Sequence, residues 1–223
     1  MSGRLGDEVS RDLADRSLTL LIPLGATEQH GPHLPLDTDT RIAEAVATAV
    51  AADLDDAVVA PPIAIGASGE HAGFAGTLSV GTKVLSDTLI EIVRTAGPEF
   101  DRIVAVNGHG GNAYALRAAA ATCEAEGRTL DVWSIRLPGA DAHAGRTETS
   151  LMLHLAPDAV REEDAEAGNP EPLEELLPKM METGVRDVSP NGVLGDPAGA
   201  SADEGAALFA ALVADATTQI LGG

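Results

Sequence analysis

The sequence predicts an α/β fold whose mainly parallel sheet is covered by helices on both faces. Short apolar runs alternate along the chain with longer stretches whose apolar residues recur at helical spacing. The runs read as buried strands bounded by turn residues, and their alternation with helices favours parallel strands joined by crossovers. A polar, glycine-containing loop follows three of the runs, at the strand ends where open sheets of this kind gather ligands. With 223 residues, 44% of them hydrophobic, the chain can bury one sizeable core, and a single domain over 1–223 is expected.

Residues 18–24 are the first apolar run and the first strand. Residues 41–54 follow as a helix, with Ile42, Ala45, Val46, Ala49 and Val50 on one face and Asp37 or Asp39 as its cap. Residues 57–65 form a short strand that ends in a turn at Pro61-Pro62. The loop 66–81 carries Ser68-Gly69-Glu70-His71 and is long enough to be functional rather than a bare connector. A helix over 84–96 leads to a strand over 102–106, which runs into Asn107-Gly108-His109-Gly110-Gly111-Asn112 and a helix over 113–126. A strand over 130–137 then opens onto a polar loop at 138–150 and an apolar helical stretch at 151–155. Residues 157–199 are rich in Glu, Pro and Gly, with a helical piece around 173–181, and read as an excursion over the surface or onto a neighbouring subunit. A helix over 202–221 closes the chain.

Charge and composition exclude several function classes. Fourteen basic residues face 35 acidic ones for a net charge of −21, and lysine occurs only as Lys83 and Lys179. Such a surface repels phosphate backbones and anionic lipid, so neither nucleic acid nor membrane is an expected partner. No apolar run approaches the ~20 residues that span a bilayer, and the N-terminal stretch lacks a basic segment followed by an apolar one, which reads as a cytoplasmic protein. Cys123 stands alone, so any metal must be held by His and carboxylate.

The loop after the first strand places Glu28, His30, His33, Asp37 and Asp39 within twelve positions. That density of nitrogen and oxygen donors suits a borderline divalent ion, although a polar loop with a helix cap is the plainer alternative. Glu28 and His30 are two apart and point to the same side of an extended backbone. His109 is framed by glycines at a strand end, where the turn fits neither a Walker loop nor a Gly-x-Gly-x-x-Gly site. His143 and Glu148 sit in the third loop, where Glu148 is either part of a site or a first-turn acid worth ~0.3–1 kcal/mol against the helix dipole. Five of the six histidines, all but His154, fall in such loops, which are expected to converge.

Four ordered motifs then resemble the creatininase family of metal-dependent amide hydrolases. They are Thr-Glu-Gln-His-Gly-Pro-His-Leu-Pro-Leu-Asp-Thr-Asp at 27–39, Gly-Glu-His at 69–71, Asn-Gly-His-Gly-Gly-Asn at 107–112 and His-Ala-Gly-x-x-Glu-Thr-Ser at 143–150. The resemblance implies a three-layer α/β/α sandwich with a mostly parallel central sheet, and a ring-like homo-oligomer, commonly a hexamer. It also implies two divalent ions (Zn, Fe(II) or Mn). Carried over position by position, Glu28, Asp39 and His109 hold one ion, while His30 and the bridging Asp39 hold the other. Creatininases add a glutamate two positions after the histidine of the Asn-Gly-His motif, where this chain has Gly111, and Glu148 is the expected replacement. His143 matches the family's catalytic histidine and can share a proton with Glu148, and Asp37 stays an outer or capping carboxylate. The amides of Gly110 and Gly111, with His71, are candidates to hold the oxyanion or substrate.

Within the family, Gly-Ala-Ser-Gly-Glu-His at 66–71 and Gly-Val-Leu-Gly-Asp-Pro at 192–197 resemble a peptidase branch. Its implied substrate is a ribosomally made precursor peptide whose modified C-terminal Val-Tyr pair is cleaved off. A small cyclic amide or formamide is the alternative substrate, with Gly111 and a lone tryptophan, Trp133, speaking against creatinine itself. A non-catalytic metal- or ligand-binding protein is the second alternative.

Overall fold

The computed structural model describes residues 3–222, so the extreme ends of the expected 1–223 domain lie outside the described residues. Its four strands are β1 (Leu18–Leu24), β2 (Ala57–Val59), β3 (Phe100–Asn107) and β4 (Asp131–Ser134). All pair in parallel, in the order β2-β1-β3-β4. Leu20 lies between Val58 and Ile103, and Val106 lies beside Trp133. The helices are α1 (Ser10–Leu13), α2 (Thr38–Asp53), α3 (Gly81–Thr95), α4 (Ala113–Ala125), α5 (Arg146–Leu155), α6 (Leu173–Thr183) and α7 (Ala202–Gly222).

Side chains alternate across a strand, so each strand feeds two cores. Leu18, Leu20, Ile22 and Leu24 of β1 join Ile103 and Ala105 of β3 against Leu85, Leu89 and Val93 of α3 and Leu116 and Ala119 of α4. On the opposite face Leu21, Val104, Val106 and Trp133 pack with Ile42, Val46 and Val50 of α2, Leu151 and Met152 of α5, and Leu212 and Ala216 of α7. The result is the three-layer α/β/α sandwich, with helices on both sides of a parallel sheet. From β1 the chain crosses through α2 to one side, then through α3 to the other. The strand order therefore reverses between β1 and β3, and a crevice opens beyond their carboxyl ends.

Several boundaries differ from the sequence expectation for physical reasons. The strand expected over 57–65 stops at Val59, because Pro61 and Pro62 lack the N–H a ladder needs; only Ile63 rejoins Leu24, in an isolated bridge. The strand expected over 130–137 spans only Asp131–Ser134. Helix α5 begins at Arg146, ahead of the apolar stretch, and so includes Glu148 in its first turn. Trp133 is buried, and its indole N–H donates to Asp215 of α7 at 2.8 Å.

Two further expectations need amendment. Helix α7 is 21 residues long with a mean hydropathy of 1.4, so by length and composition it is apolar enough to cross a membrane. Leu212, Ala216 and Ile220, four apart, instead seat it on the sheet layer beside α2 and α5. The 157–199 segment is largely exposed, yet Val185, Ser189, Val193 and Leu194 are buried, and Leu194 pairs with His143 in an antiparallel bridge. Its last third lies back over the 138–150 loop.

Leu21 is wholly buried at the centre of the sheet, so Leu21→Ala is expected to lower unfolding free energy by about 2–5 kcal/mol in a urea titration. Leu78→Ala, at a 52% exposed position, should change it by less than about 0.5 kcal/mol.

Candidate metal centre

The crevice between β1 and β3 collects the polar loops. The ladder continues past both strands, as the Gly108 N–H donates to the Leu24 carbonyl at 2.8 Å. An ideal Cβ on Gly108 would lie 2.5 Å from the Asp39 carbonyl, so only glycine lets the His109 turn close against the first turn of α2. That approach sets His109 Nδ1 3.1 Å from Asp39 Oδ2. Asp39 and Glu148 both stand in the first turn of a helix, where the free amides and the dipole favour negative charge.

From the other side of the crevice, Glu28 extends beneath the same cluster. Its Oε2 lies 3.2 Å from His109 Nε2, and its Oε1 lies 3.3 Å from His71 Nε2 and 3.8 Å from His143 Nδ1. His30 Nδ1 meets the Glu28 backbone carbonyl at 3.1 Å, which makes it the donor and turns Nε2 toward Asp39 Oδ1, also at 3.1 Å. Glu148 Oε2 is 3.8 Å from the same His30 nitrogen and accepts the Ala144 N–H at 2.6 Å.

These donors fit divalent ions on two grounds. Glu28, His30 and Asp39 are at most 2% exposed, yet both Glu28 carboxylate oxygens and Asp39 Oδ2 have no hydrogen-bond partner. His109 Nδ1 is close to Asp39 Oδ2 without the alignment of a hydrogen bond, as a lone pair that faces a common cation would be. Three groups converge closely enough to hold an ion: Glu28 with Asp39 and His109; His30 with His143 and Glu148; and Glu28 with His71 and His143.

Without a cation the cluster holds protons in unusual places. Burial raises Glu28 to about 8 and Glu148 to about 7. Burial alone would lower His30, but the Asp39 carboxylate overrides it and lifts the imidazole to about 10. Asp39, buried as deeply, is nevertheless held below the usual carboxylate range by His30 and His109. His143 is driven the other way, well below its ordinary value, by burial and by the His30 and His71 imidazoles beside it.

Gln29 organises the two remaining imidazoles. His143 Nε2 lies 2.8 Å from the Gln29 backbone carbonyl and must donate to it, leaving Nδ1 as the lone pair that faces the cluster. The Gln29 side-chain amide donates to the Gly192 carbonyl at 3.0 Å and to His71 Nδ1 at 2.9 Å, which turns the His71 N–H toward Glu28.

The structure thus brings Glu28, His30, Asp39, His71, His109, His143 and Glu148 together and leaves other expected members outside. Asp37 is half-buried outside the cluster; it makes no side-chain cap on α2 and pairs instead with Arg41 at 2.7 Å. Asp39 faces the cluster and does not serve as the N-cap. His33 is buried, with Nε2 2.8 Å from the Thr149 hydroxyl, and belongs to none of the three donor groups. Gly110 and Gly111 open the short turn before α4. Sequence reasoning passed over Gln29 and Glu70. Glu70 Oε1 lies 3.4 Å from His109 Nε2, and its one signal in the sequence is its place beside His71 in the Gly-Glu-His motif.

Comparison with known proteins bears on this geometry. The creatininase (creatinine amidohydrolase) family profile matches residues 7–220. A mycofactocin precursor peptide peptidase of Mycolicibacterium smegmatis is 53% identical over 214 residues, covering 94% of this chain and 87% of the relative. One of Mycobacterium ulcerans is 51% identical over 226 residues, covering 98% and 90%. A solved creatininase variant described as the Zn-Zn type superposes with a TM-score of 0.79 at 26% identity, covering 98% of both chains. A creatininase described as the Mn form superposes at 0.78 and 25%, again over 98% of each chain.

Above about pH 6.5 the protonation pattern fixes a sign. Glu28 and Glu148 bind protons more tightly folded than unfolded, so metal-free stability is lost as pH rises from about 4.5 through about 7 and 8. His30 acts in the same direction, with stability present below 6.5 and lost as pH climbs toward about 10. His71 and His143, held low, act the other way only below about 6.5, so chelator-treated protein should melt at progressively lower temperature from pH 7 to pH 9, and Glu28→Gln should flatten that slope. A divalent ion at about 100 times its Kd should add about 2.7 kcal/mol, an effect that grows with pH because it competes with those protons. A metal-free melting temperature that is flat or rising across this window would contradict the assignment.

Proposed function

The chain belongs to the creatininase family, and we propose that it is a two-metal amide hydrolase that cleaves the modified C-terminal Val-Tyr pair from the mycofactocin precursor peptide. The observation that carries this reading is the set of buried carboxylate oxygens with no hydrogen-bond partner, ringed by imidazoles. In it Glu28, Asp39 and His109 would hold one divalent ion, and His30, Asp39 and Glu148 the other. When bound, such a pair supplies a water of lowered pKa and polarises the scissile carbonyl. Nitrogen and oxygen donors of this kind suit Zn, Fe(II) and Mn alike.

His143 is the proton carrier of the reading. Burial keeps it neutral, Nε2–H is committed to the Gln29 carbonyl, and Nδ1 is left to accept the proton of the attacking water and return it to the departing amine. His71 Nε2 faces Glu28 Oε1 at 3.3 Å, with Nδ1 engaged by the Gln29 amide. The amides of Gly110 and Gly111, at the start of the turn into α4, receive the oxyanion. Trp133 is packed inside the sheet layer, so it does not close over the cluster and leaves access for a peptide chain. Exposed apolar side chains such as Leu78 and Val84 suit contact with further copies in a homo-oligomer, and a ribosomally made substrate suits a cytoplasmic enzyme whose lone Cys123 remains a thiol.

Metal-loaded protein incubated with the modified precursor peptide should release the C-terminal pair, as followed by mass spectrometry, and should leave creatinine intact. Hydrolysis of creatinine without peptide cleavage would overturn the reading. His143→Ala should keep its metal content and lose about 10²–10⁴-fold in turnover; normal turnover in that variant would remove His143 from the mechanism.

A further inference from the structure

Glu70 reaches the metal centre from the loop that follows β2, in the short turn Gly69–His71. Its Oε1 lies 3.4 Å from His109 Nε2. The same nitrogen meets the Ala67 carbonyl at 3.3 Å, and because a carbonyl can only accept, Nε2 is the ring atom that carries hydrogen. With an ion bound, Nδ1 would be the nitrogen left to turn a lone pair toward the side of Asp39 Oδ2, 3.1 Å away, an oxygen with no hydrogen-bond partner. Nε2 also lies 3.2 Å from Glu28 Oε2, so the His109 ring is held between Glu28 within the cluster and Ala67 and Glu70 on its outer side.

The backbone leaves room for this carboxylate at one place. An ideal Cβ on Gly111 would lie 2.2 Å from Glu70 Oε1 and 2.4 Å from His109 Nε2. No side chain fits at position 111 while Glu70 and His109 stand where they do. The bare glycine two positions after His109 and the acid at position 70 are two halves of one arrangement.

We propose that Glu70 is a positioning residue of the metal centre: its carboxylate braces the Nε2–H side of His109 and holds Nδ1 toward Asp39, in the space a side chain at 111 would take. The assignment rests on the two-metal reading above. An outer carboxylate of this kind fixes the tautomer and orientation of a metal-binding imidazole and raises its basicity. Glu70 belongs to none of the three donor groups, so it acts through His109 and not on an ion directly. Its side chain is 28% exposed, which keeps its charge hydrated while Glu28 and Asp39 are sealed from water.

The test titrates the full chain, freed of metal with a chelator, with Co²⁺ while bound stoichiometry and visible absorption are followed. Wild type should take up two equivalents, and Glu70→Ala should bind one of them about 10- to 100-fold more weakly with the saturated spectrum unchanged. Glu70→Gln, which keeps an acceptor without the charge, should fall between. Gly111→Ala should weaken the same equivalent by pushing the His109 ring aside. Matching melting curves of the metal-free wild type and Glu70→Gln show that the loss is one of metal binding and not of folding. Equal affinity of Glu70→Ala and wild type for both ions overturns the proposal. A changed spectrum at saturation overturns it too, because Glu70 would then be a ligand in its own right. Wild-type protein that takes up no Co²⁺ at all is a different failure, which removes the two-metal reading itself.

Discussion

Two sealed carboxylates set the terms for the rest of this molecule. Glu28 is 0% exposed and Asp39 2%, and three of their four oxygens meet no donor. An ionised group removed from water in this way costs several kcal/mol unless something positive stands beside it. The chain supplies imidazoles, which can be positive themselves or can share a cation with the acids. Either way the fold must deliver four histidines from four loops to one point, and the sheet order is the means. Because the strands step outward in opposite directions from β1 and β3, the loops leaving those two strands open into a common crevice.

Helix starts do the remaining placement. Helix α2 begins beside the crevice with Asp39 in its first turn, α5 begins there with Glu148, and the turn that carries His109 runs into α4. Each start offers unpaired amides and the positive end of a dipole. The acids are thus held at sites that favour their charge, while burial works against it. The opposed shifts of Asp39, held low, and Glu148, raised to about 7, show two different balances of these effects within one cluster.

Much of this was legible in the sequence because it depends on local pattern. The apolar runs at 18–24 and 102–106 mark β1 and β3 closely, since a strand buried on both faces leaves no polar position to confuse it. The residues Glu28, His30, Asp39, His109, His143 and Glu148 stood out because each follows a strand or opens a helix. What stayed hidden depends on chain segments folding back. Gln29 sits between two cluster members and reads as a spacer, yet its amide and carbonyl contact His71, His143 and Gly192. Glu70 acquires meaning only when the 66–81 loop lies against Gly111. In 157–199 the abundance of Glu, Pro and Gly masks the few positions, Val193 and Leu194 among them, that are buried against the site.

The three-residue stretch 28–30 shows how little chain is needed to define the chemistry. The backbone carbonyl of Glu28 takes the Nδ1–H of His30, and the backbone carbonyl of Gln29 takes the Nε2–H of His143. Each histidine is thereby locked in one tautomer, opposite to the other, with its free nitrogen turned into the cluster. The two rings lie 4.3 Å apart, yet Asp39 draws a proton or cation to His30 while burial and the neighbouring positive charge keep one from His143. On the proposed reading, a metal-binding His30 and a proton-accepting His143 would sit side by side without exchanging roles. The distinction comes from which backbone oxygen each ring meets and which carboxylate it faces. Two adjacent residues of the loop that leaves β1, Glu28 and Gln29, provide both backbone oxygens.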